Sequence, residues 1–313
     1  MLKSLWSFGK LGLDSDSSNQ NTDRDDAYIF PKVDPQVDGP DCLRDCADCT
    51  VQYPARFNTN NSRQLYGGIK PVTTHVLVAT GKADWVRKAE TEEGSLMQAF
   101  ERGAFKDKKG RMMVSASNLS IDPLDDSNNN SNTTDNSTST KPTTLLVLPS
   151  FTFVDGVIQA DLPEFMDRFV NSPSPIPPPS PNPNHRLTTR PCERDYMVLL
   201  CSHRTRDARC GISAPLIKRE LERHLRPLGL ARDDDDSRAG GVGIAFVSHV
   251  GGHKFAANVL VYRRKEEQMI WLARVRPEHC EGIVRFTILQ GKVVRPEERL
   301  RGGFDLQRGL MSW

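Results

Sequence analysis

A run of prolines divides this sequence into two parts that must fold on either side of it. The stretch SPSPIPPPSPNPNH at 172–185 is too rich in proline and too poor in apolar residues to form a helix or a sheet. Segments of this composition form stiff, extended linkers. We therefore predict a proline-rich linker at 172–190 that joins an N-terminal α/β domain at 66–171 to a C-terminal domain at 191–313.

Two further segments are too polar to bury a core. Residues 14–27 and 125–143 are dominated by Ser, Asn, Thr and Asp, and the second reads DDSNNNSNTTDNSTSTKPT. Because periodic segments closely flank the second one, we predict a disordered insertion within the N-terminal domain. Residues 1–65 are predicted to be a largely irregular N-terminal segment.

Apolar periodicity predicts mixed strands and helices in both parts. Before the linker, THVLVAT, RMMVSAS and TTLLVLPSFTFV have the pattern of strands, GSLMQAFERGAF that of an amphipathic helix, and DLPEFMDRFV that of a helix capped by Asp161. After it, DYMVLLC, VGIAFVSHV, ANVLVY and MIWLARV predict strands, SAPLIKRELERHL a helix capped by Ser213, and 277–289 a final helix. The second order, β-α-β-β-β-α, is typical of a thioredoxin-like layer with a parallel start and an antiparallel hairpin. The predicted fold class is α/β, with two thioredoxin-like units.

Length, charge and cysteine content limit the classes of function. With 313 residues, each part can bury a core without crosslinks, and seven cysteines, an odd number, favour metal or redox use in a reducing compartment. The sequence lacks a run of about 18 apolar residues and a secretory leader, so we expect neither a membrane span nor secretion. Residues 190–313 carry a net charge of +7 and the remainder −5. Because the basic residues are scattered rather than grouped with aromatic ones, we expect no nucleic-acid binding, whereas an acidic protein partner would suit this face.

The residues best suited to metal binding are two cysteines and two histidines of the C-terminal part. Cys201 ends a predicted strand, Cys210 lies at the entrance to the next helix, and His249 and His253 flank VGG after a later strand. The helix N-terminus should lower the thiol pKa values, as should the positive charges of Arg204, Arg206 and Arg209. Two thiolates and two imidazoles suit either one Zn²⁺ or a 2Fe-2S cluster with cysteines on one iron and histidines on the other. The spacings are not those of a zinc finger, a thioredoxin-type dithiol or a Rieske site.

The same stretches resemble a known family. CSHRTRDARCGISAPLIK at 201–218, GIAFVSHVGGHKFAANV at 243–259 and IWLARV at 270–275 are similar to sequences of the sucrase/ferredoxin-like family, and the resemblance is dense over about 194–276. In that family, the C-x8-C and H-x3-H residues look like the four ligands of a 2Fe-2S cluster on a thioredoxin-like ferredoxin domain. The resemblance implies a 2Fe-2S cofactor, one-electron transfer or redox sensing as the function, and four ligands: Cys201, Cys210, His249 and His253. The alternative is a structural Cys2His2 zinc site in an interaction protein without redox activity.

A second, shorter resemblance predicts a partner and a cellular compartment for the protein. Met311, Ser312 and Trp313 resemble the C-terminal tripeptide by which the cytosolic iron–sulfur targeting machinery recognises its client proteins. This predicts that machinery as a partner and the cytoplasm as the compartment, leaving the nucleus open and mitochondria less favoured. The sequence has neither a dinucleotide-binding loop nor a glycosidase-type pair of carboxylates. We therefore expect an electron-transfer protein rather than a catalyst, with an unidentified reductase or electron acceptor as its partner.

Three cysteines near the N-terminus share a spacing with another class of metal proteins. Cys42, Cys46 and Cys49 form C-x3-C-x2-C, the pattern by which radical SAM enzymes hold a 4Fe-4S cluster. No aromatic residue precedes the third cysteine, and no β/α barrel can follow, so we predict free surface thiols, with a second metal site as the alternative. His203 and His224 have no partner at a useful spacing, and His203 is predicted to be a plain loop histidine, with tuning of the metal centre as the alternative. Cys192 is predicted to be an ordinary thiol and Cys280 a small residue of the last helix.

Overall fold

The computed structural model describes residues 28–59, 63–108, 110–121, 142–172 and 187–313. The predicted irregular stretch at 14–27 lies outside the described residues, as do most of the insertion predicted at 125–143 and most of the linker predicted at 172–190. The described part of the N-terminal segment contains one short helix, α1 (Pro35–Asp38), and is otherwise largely irregular.

The N-terminal half has its strands and helices in the predicted order. Strand β1 (Thr74–Ala79) is followed by helix α2 (Leu96–Gly103), and three further strands are β2 (Met112–Ser117), β3 (Thr143–Leu148) and β4 (Thr152–Val157). Helix α3 (Leu162–Phe165) continues as a π-helix over Met166–Val170. Helix α2 forms because the hydroxyl of Ser95 accepts from the N–H of Gln98 at 3.1 Å, while an apolar face made by Leu96, Met97 and Phe100 is buried.

The C-terminal half repeats this order and adds to it. Its elements are β5 (Thr188–Pro191), β6 (Tyr196–Cys201), α4 (Ala208–Leu225), β7 (Ala231–Arg232), β8 (Val242–Val247), β9 (Val259–Arg263) and β10 (Gln268–Leu272). The predicted final helix is present as a 3-10 turn, helix α5 (Cys280–Gly282) and a π-helix over Ile283–Ile288. Three further elements follow, and the sequence did not predict them: α6 (Pro296–Arg299), β11 (Leu300–Asp305) and β12 (Leu310–Ser312).

One continuous sheet of twelve strands contains both halves, and its strand order confirms the α/β class. In the C-terminal half the order is β8-β6-β9-β10, with β6 parallel to β8 and antiparallel to β9. In the N-terminal half the order is β2-β1-β3-β4, with the same directions. The halves meet where β2 pairs antiparallel with β8, at Ser117 and Val247. Each half therefore has the thioredoxin-like arrangement predicted for it.

The core extends across the junction between the halves. One buried apolar cluster contains Leu77 and Leu146 from the first half with Leu199 and Leu260 from the second. At the same junction, the buried imidazole of His75 hydrogen bonds to the hydroxyls of Tyr262, at 3.1 Å, and Ser115, at 3.0 Å. Nowhere in the described ranges is a helix both long and apolar enough to cross a bilayer.

Two predicted helix caps are wrong. Helix α4 begins at Ala208 rather than after Ser213, because the carboxylate of Asp207 accepts from the N–H of Arg209 at 3.0 Å and caps the helix six residues earlier. Ser213 is buried inside the helix, where its hydroxyl donates to the carbonyl of Cys210. Asp161 does not cap α3, since its carboxylate accepts from the N–H of Ile158 instead.

Candidate metal centre

The four predicted ligands lie at one edge of the C-terminal half of the sheet. Cys201 is the last residue of β6, and Cys210 is in the first turn of α4. His249 lies two residues beyond β8, and His253 begins a 3-10 turn that ends at Phe255. Because β6 and β8 are adjacent parallel strands, their carboxyl ends share an edge, and this brings residues nearly fifty positions apart together.

The four side chains form two pairs. The thiols of Cys201 and Cys210 hydrogen bond to each other, and Nδ1 of His253 lies 3.4 Å from Nε2 of His249. Within the part of the chain that the structure describes, no three of the four bring their ligand atoms within 4.8 Å of one another. The arrangement is thus a sulfur pair beside a nitrogen pair rather than four donors around one point.

The surroundings shift the pKa values of the two thiols in opposite directions. The interaction with the thiol of Cys210, and after it that with His249, holds the pKa of Cys201 well below its ordinary value despite burial. The pKa of Cys210 is raised, first by its hydrogen bond to Cys201 and then by burial and by the negative charge of Cys201. The positive charge of Arg209 lowers the pKa of Cys210, as predicted, but the other effects outweigh it, so the predicted net lowering is wrong for Cys210. Arg209 also pairs with Asp207, at 2.8 Å.

The surroundings of His253 favour the neutral ring that a metal ligand needs. Burial lowers the pKa of His253, and its electrostatic interactions with His249 and Arg209 lower it further. Nδ1 of His249 is buried and has no hydrogen-bond partner among the described residues. A buried ring nitrogen without a partner is costly unless a metal ion or proton satisfies it. Two thiol sulfurs and two available imidazole nitrogens are the donor set of a Cys- and His-ligated iron–sulfur cluster, and the residues fit that group.

The turn between His249 and His253 is held in place by the buried guanidinium of Arg301. Gly252 has φ +69° and ψ 37°, and a Cβ there would lie 2.6 Å from a guanidinium nitrogen of Arg301. That guanidinium donates to the carbonyl of Gly251 at 3.3 Å and to Oδ1 of Asn258 at 2.9 Å, while Nδ2 of Asn258 donates to the carbonyl of Gly252 at 3.1 Å. Burial lowers the pKa of Arg301 to about 10, so it remains charged at neutral pH. Glycine is required at position 252 both for its positive φ and for this close approach.

His203 has a positioning role that its sequence context did not reveal. The ring is buried, and Nδ1 accepts from the N–H of His249 at 3.3 Å. Nε2 therefore carries the proton, which it donates to the carbonyls of Trp85 and Val86 at 3.2 and 3.0 Å. The interpretation of His203 as a plain loop residue is wrong, because it connects the histidine loop to the N-terminal half.

The loop between the two cysteines is also held by the N-terminal half. The hydroxyl of Ser202 donates to the carbonyl of Ala83 at 2.6 Å, and the N–H and hydroxyl of Thr205 donate to the carboxylate of Asp84 at 3.0 and 2.7 Å. These contacts fix the loop that leads from Cys201 to Cys210. Residues 83–86 of one half therefore support the candidate metal centre of the other.

The structure separates the three N-terminal cysteines. Cys42 is 2% exposed and packs in an apolar cluster with Val33, Phe286 and Val294, so the prediction of a surface thiol is wrong for it. Cys46 and Cys49 are partly buried, and the thiol of Cys49 donates to the carbonyl of Cys46 at 3.5 Å. His224, predicted to lack a partner, has its ring nitrogen 3.7 Å from the carboxylate of Glu220 and within 4.8 Å of the sulfur of Cys46. Cys192 and Cys280 are buried free thiols.

Comparisons with known proteins agree on a family. The sequence model of the Sucrase/ferredoxin-like family matches residues 65–302. The chain is 31% identical over 282 residues to Actin patches distal protein 1 of Saccharomyces cerevisiae, a match that covers 85% of each chain. It is 40% identical over 111 residues to Altered inheritance of mitochondria protein 32 of Clavispora lusitaniae, covering 36% of each. The protein of the same name from Meyerozyma guilliermondii is 39% identical over 105 residues, or 34% of each chain. No solved structure matches the chain.

Proposed function

This chain belongs to the Sucrase/ferredoxin-like family, and we propose that it binds a 2Fe-2S cluster and transfers one electron at a time. The proposed ligands are Cys201, Cys210, His249 and His253. The observation that carries the proposal is their arrangement in a sulfur pair and a nitrogen pair. A cluster with cysteines on one iron and histidines on the other needs two such pairs, whereas a tetrahedral Zn²⁺ needs all four donors around one ion.

Ligand charge favours a comparatively high reduction potential. Two ferric ions, two sulfides, two thiolates and two neutral imidazoles sum to zero, whereas four cysteines would leave a dianion. When bound, the cluster supplies a one-electron couple, and its less negative charge should raise the potential above that of plant-type ferredoxins. The buried guanidinium of Arg301, which donates to the histidine turn, also favours the added negative charge of the reduced state.

The histidine side of the centre is the expected docking face for an electron-transfer partner. Both cysteines are buried, while His249 and His253 are partly exposed. The positive charges of Arg206 and Arg209 act on His253, and Lys254 follows it in the chain. A reductase or electron acceptor with an acidic surface would be attracted to this face, and its association rate should fall with rising ionic strength.

We further propose that the cytosolic iron–sulfur targeting machinery recognises Met311, Ser312 and Trp313, and that the protein acts in the cytoplasm. Met311 is half exposed, and β12 pairs only along one side, with β11. The indole of Trp313 packs against Phe304 with 6.2 Å between ring centroids, so recognition would require this ring to leave that contact. Two relatives have names that refer to mitochondria, and subcellular fractionation with cytosolic and mitochondrial markers would decide the compartment.

The experiment that tests the function is anaerobic purification of the full chain, followed by iron, sulfide and zinc analysis and by EPR after reduction. We expect a reddish-brown protein whose reduced form gives an EPR signal. His253→Cys should keep a cluster but shift its absorption and EPR spectra, because one nitrogen donor becomes sulfur. Cys192→Ser, which alters a buried thiol outside the centre, is the matched control and should leave both spectra unchanged.

Two results would contradict the proposal. A colourless protein that contains zinc lost on substitution of Cys201 would instead indicate the structural zinc site. Spectra of His253→Cys identical to those of the unmodified protein would show that His253 is not a ligand.

A further inference from the structure

A second set of metal donors lies at the other end of helix α4 from Cys210. The sulfur of Cys46, a carboxylate oxygen of Glu220 and a ring nitrogen of His224 all lie within 4.8 Å of one another. Nε2 of His224 is 3.7 Å from Oε1 of Glu220. Donor atoms around a tetrahedral Zn²⁺ are roughly 3.3–3.8 Å apart, given metal–ligand bonds of about 2.0–2.3 Å. Small side-chain rotations would therefore suffice to complete such a site.

Three hydrogen bonds show that the acceptor atoms of this set all point at one cation, the guanidinium of Arg223. The guanidinium of Arg223 donates to Sγ of Cys46 at 3.2 Å, to Nε2 of His224 at 3.1 Å and to Oε1 of Glu220 at 2.6 Å. A guanidinium has donors only, so each of the three partner atoms acts as an acceptor. Nε2 of His224 is thus the unprotonated nitrogen, which is the form that binds metals.

The carboxylate of Glu220 is oriented by a separate set of contacts. Glu220 is fully buried, and its other oxygen, Oε2, accepts from the N–H of Thr50 at 3.3 Å and from its hydroxyl at 3.0 Å. These bonds leave Oε1 facing Cys46 and His224. Outer contacts that orient a ligand in this way are characteristic of metal sites in proteins.

The spacing of the donors is that of a zinc site built from a knuckle and a helix. Cys46 and Cys49 form C-x2-C, and Glu220 and His224, four residues apart on α4, share one face of the helix. The thiol of Cys49 lies beside Cys46, since it donates to the carbonyl of Cys46 at 3.5 Å. We propose that Cys46, Cys49, Glu220 and His224 bind one Zn²⁺ that fastens the N-terminal segment to helix α4.

The charge of the four donors and their access to solvent both suit a divalent cation. Two thiolates and one carboxylate contribute −3, so Zn²⁺ and the neighbouring guanidinium of Arg223 together balance the site. The Arg223 side chain is 32% exposed, so it can turn toward solvent when the ion takes its place. Cys46 also opens onto a surface pocket, so the thiol can be reached from solvent. The charged residues of this pocket are four acids and two arginines: Asp41, Asp45, Asp48, Glu281, Arg44 and Arg285.

Metal analysis of the full chain tests the proposal independently of the iron–sulfur centre. Purified anaerobically without chelator, the protein should contain about one zinc per chain in addition to its iron. Cys46→Ser and His224→Gln should each lose most of the zinc while retaining the iron. Cys42→Ser is the matched control, because Cys42 belongs to a separate apolar cluster, and it should keep the zinc. Arg223→Met removes the competing cation and should keep the zinc as well.

Zinc X-ray absorption on the unmodified protein supplies a measurement that needs no variant to fold. We expect two sulfur neighbours at about 2.3 Å and two nitrogen or oxygen neighbours at about 2.0–2.2 Å. A protein that takes up no zinc when supplied with it would overturn the proposal, as would a Cys46–Cys49 disulfide found in freshly purified protein. Zinc that survives Cys46→Ser but is lost in Cys201→Ser would also overturn it, since that ion would belong to the other centre.

Discussion

Replacing Gly252 by alanine should destabilise the protein more than the same change at Gly251. Alanine at φ +69° costs about 1–2 kcal/mol, because its Cβ meets the backbone in the left-handed region. The new Cβ would also lie 2.6 Å from the guanidinium of Arg301, which is 4% exposed and has little room to move. Loss of one of its hydrogen bonds, to the carbonyl of Gly251 or to Asn258, adds about 1.5–3 kcal/mol. We therefore expect a total loss of about 2.5–5 kcal/mol.

Gly251→Ala is the matched control. Gly251 has φ +93°, but a Cβ there meets no atom within 4 Å, so only the backbone cost applies, about 1–3 kcal/mol. The free energy of unfolding can be measured for both variants by urea denaturation under anaerobic conditions, followed by circular dichroism. Equal losses in the two variants would refute the argument that Arg301 occupies the space beside Gly252.

Three further predictions concern protons and the loop that carries His249. If a ligand histidine gains a proton on reduction, the reduction potential should fall with rising pH, by up to about 59 mV per pH unit. A potential that is flat from about pH 6 to 9 would exclude this coupling. Burial holds the pKa of His75 at about 3, against an ordinary value of 6.5, so between these values the unfolded chain binds a proton that the folded chain does not. Stability should therefore decline on acidification through this window, by up to about 1.4 kcal/mol per pH unit, and an identical slope in His75→Gln would contradict it. His203→Phe removes the acceptor for the N–H of His249 and should speed iron loss to a chelator by about 10–100-fold, whereas an unchanged rate would show that His203 does not support the centre.

Much of the fold could be predicted because its strands are apolar and its helices are periodic. The sequence did not predict β11, since LRGGFD has two glycines and two charged residues that are all buried in the sheet. Arg301 and Asp305 are accommodated there by specific partners, and no apolar alternation marks such a strand. The position of the α4 cap was also missed, because Asp207 and Ser213 are both suitable capping residues and the sequence does not rank them.

Part of the candidate centre could be predicted from the sequence, because two of its residues follow the ends of strands. Cys201 and His249 follow adjacent parallel strands, a relation that the order of elements implies. The hydrogen bonds of His203 to Trp85 and Val86 could not be predicted, nor could the approach of His224 to Cys46, because these residues are more than one hundred positions apart in the chain. Spacing along a sequence can show donors that share one element, but it does not show donors that two distant segments bring together.

The pairing of β2 with β8 has a consequence for how the protein can be dissected. Alone, the C-terminal half would expose the end of β8 at Val247 as an open sheet edge, and the loop from Cys201 to Cys210 would lose the carbonyl and carboxylate groups of residues 83–86. The halves repeat one architecture, yet Ala79 stands in β1 where Cys201 stands in β6, so only one of them can supply that thiol. The half that contains the proposed ligands is therefore not a removable module, and we expect its truncated form to aggregate. The half without the proposed ligands stabilises the half that has them.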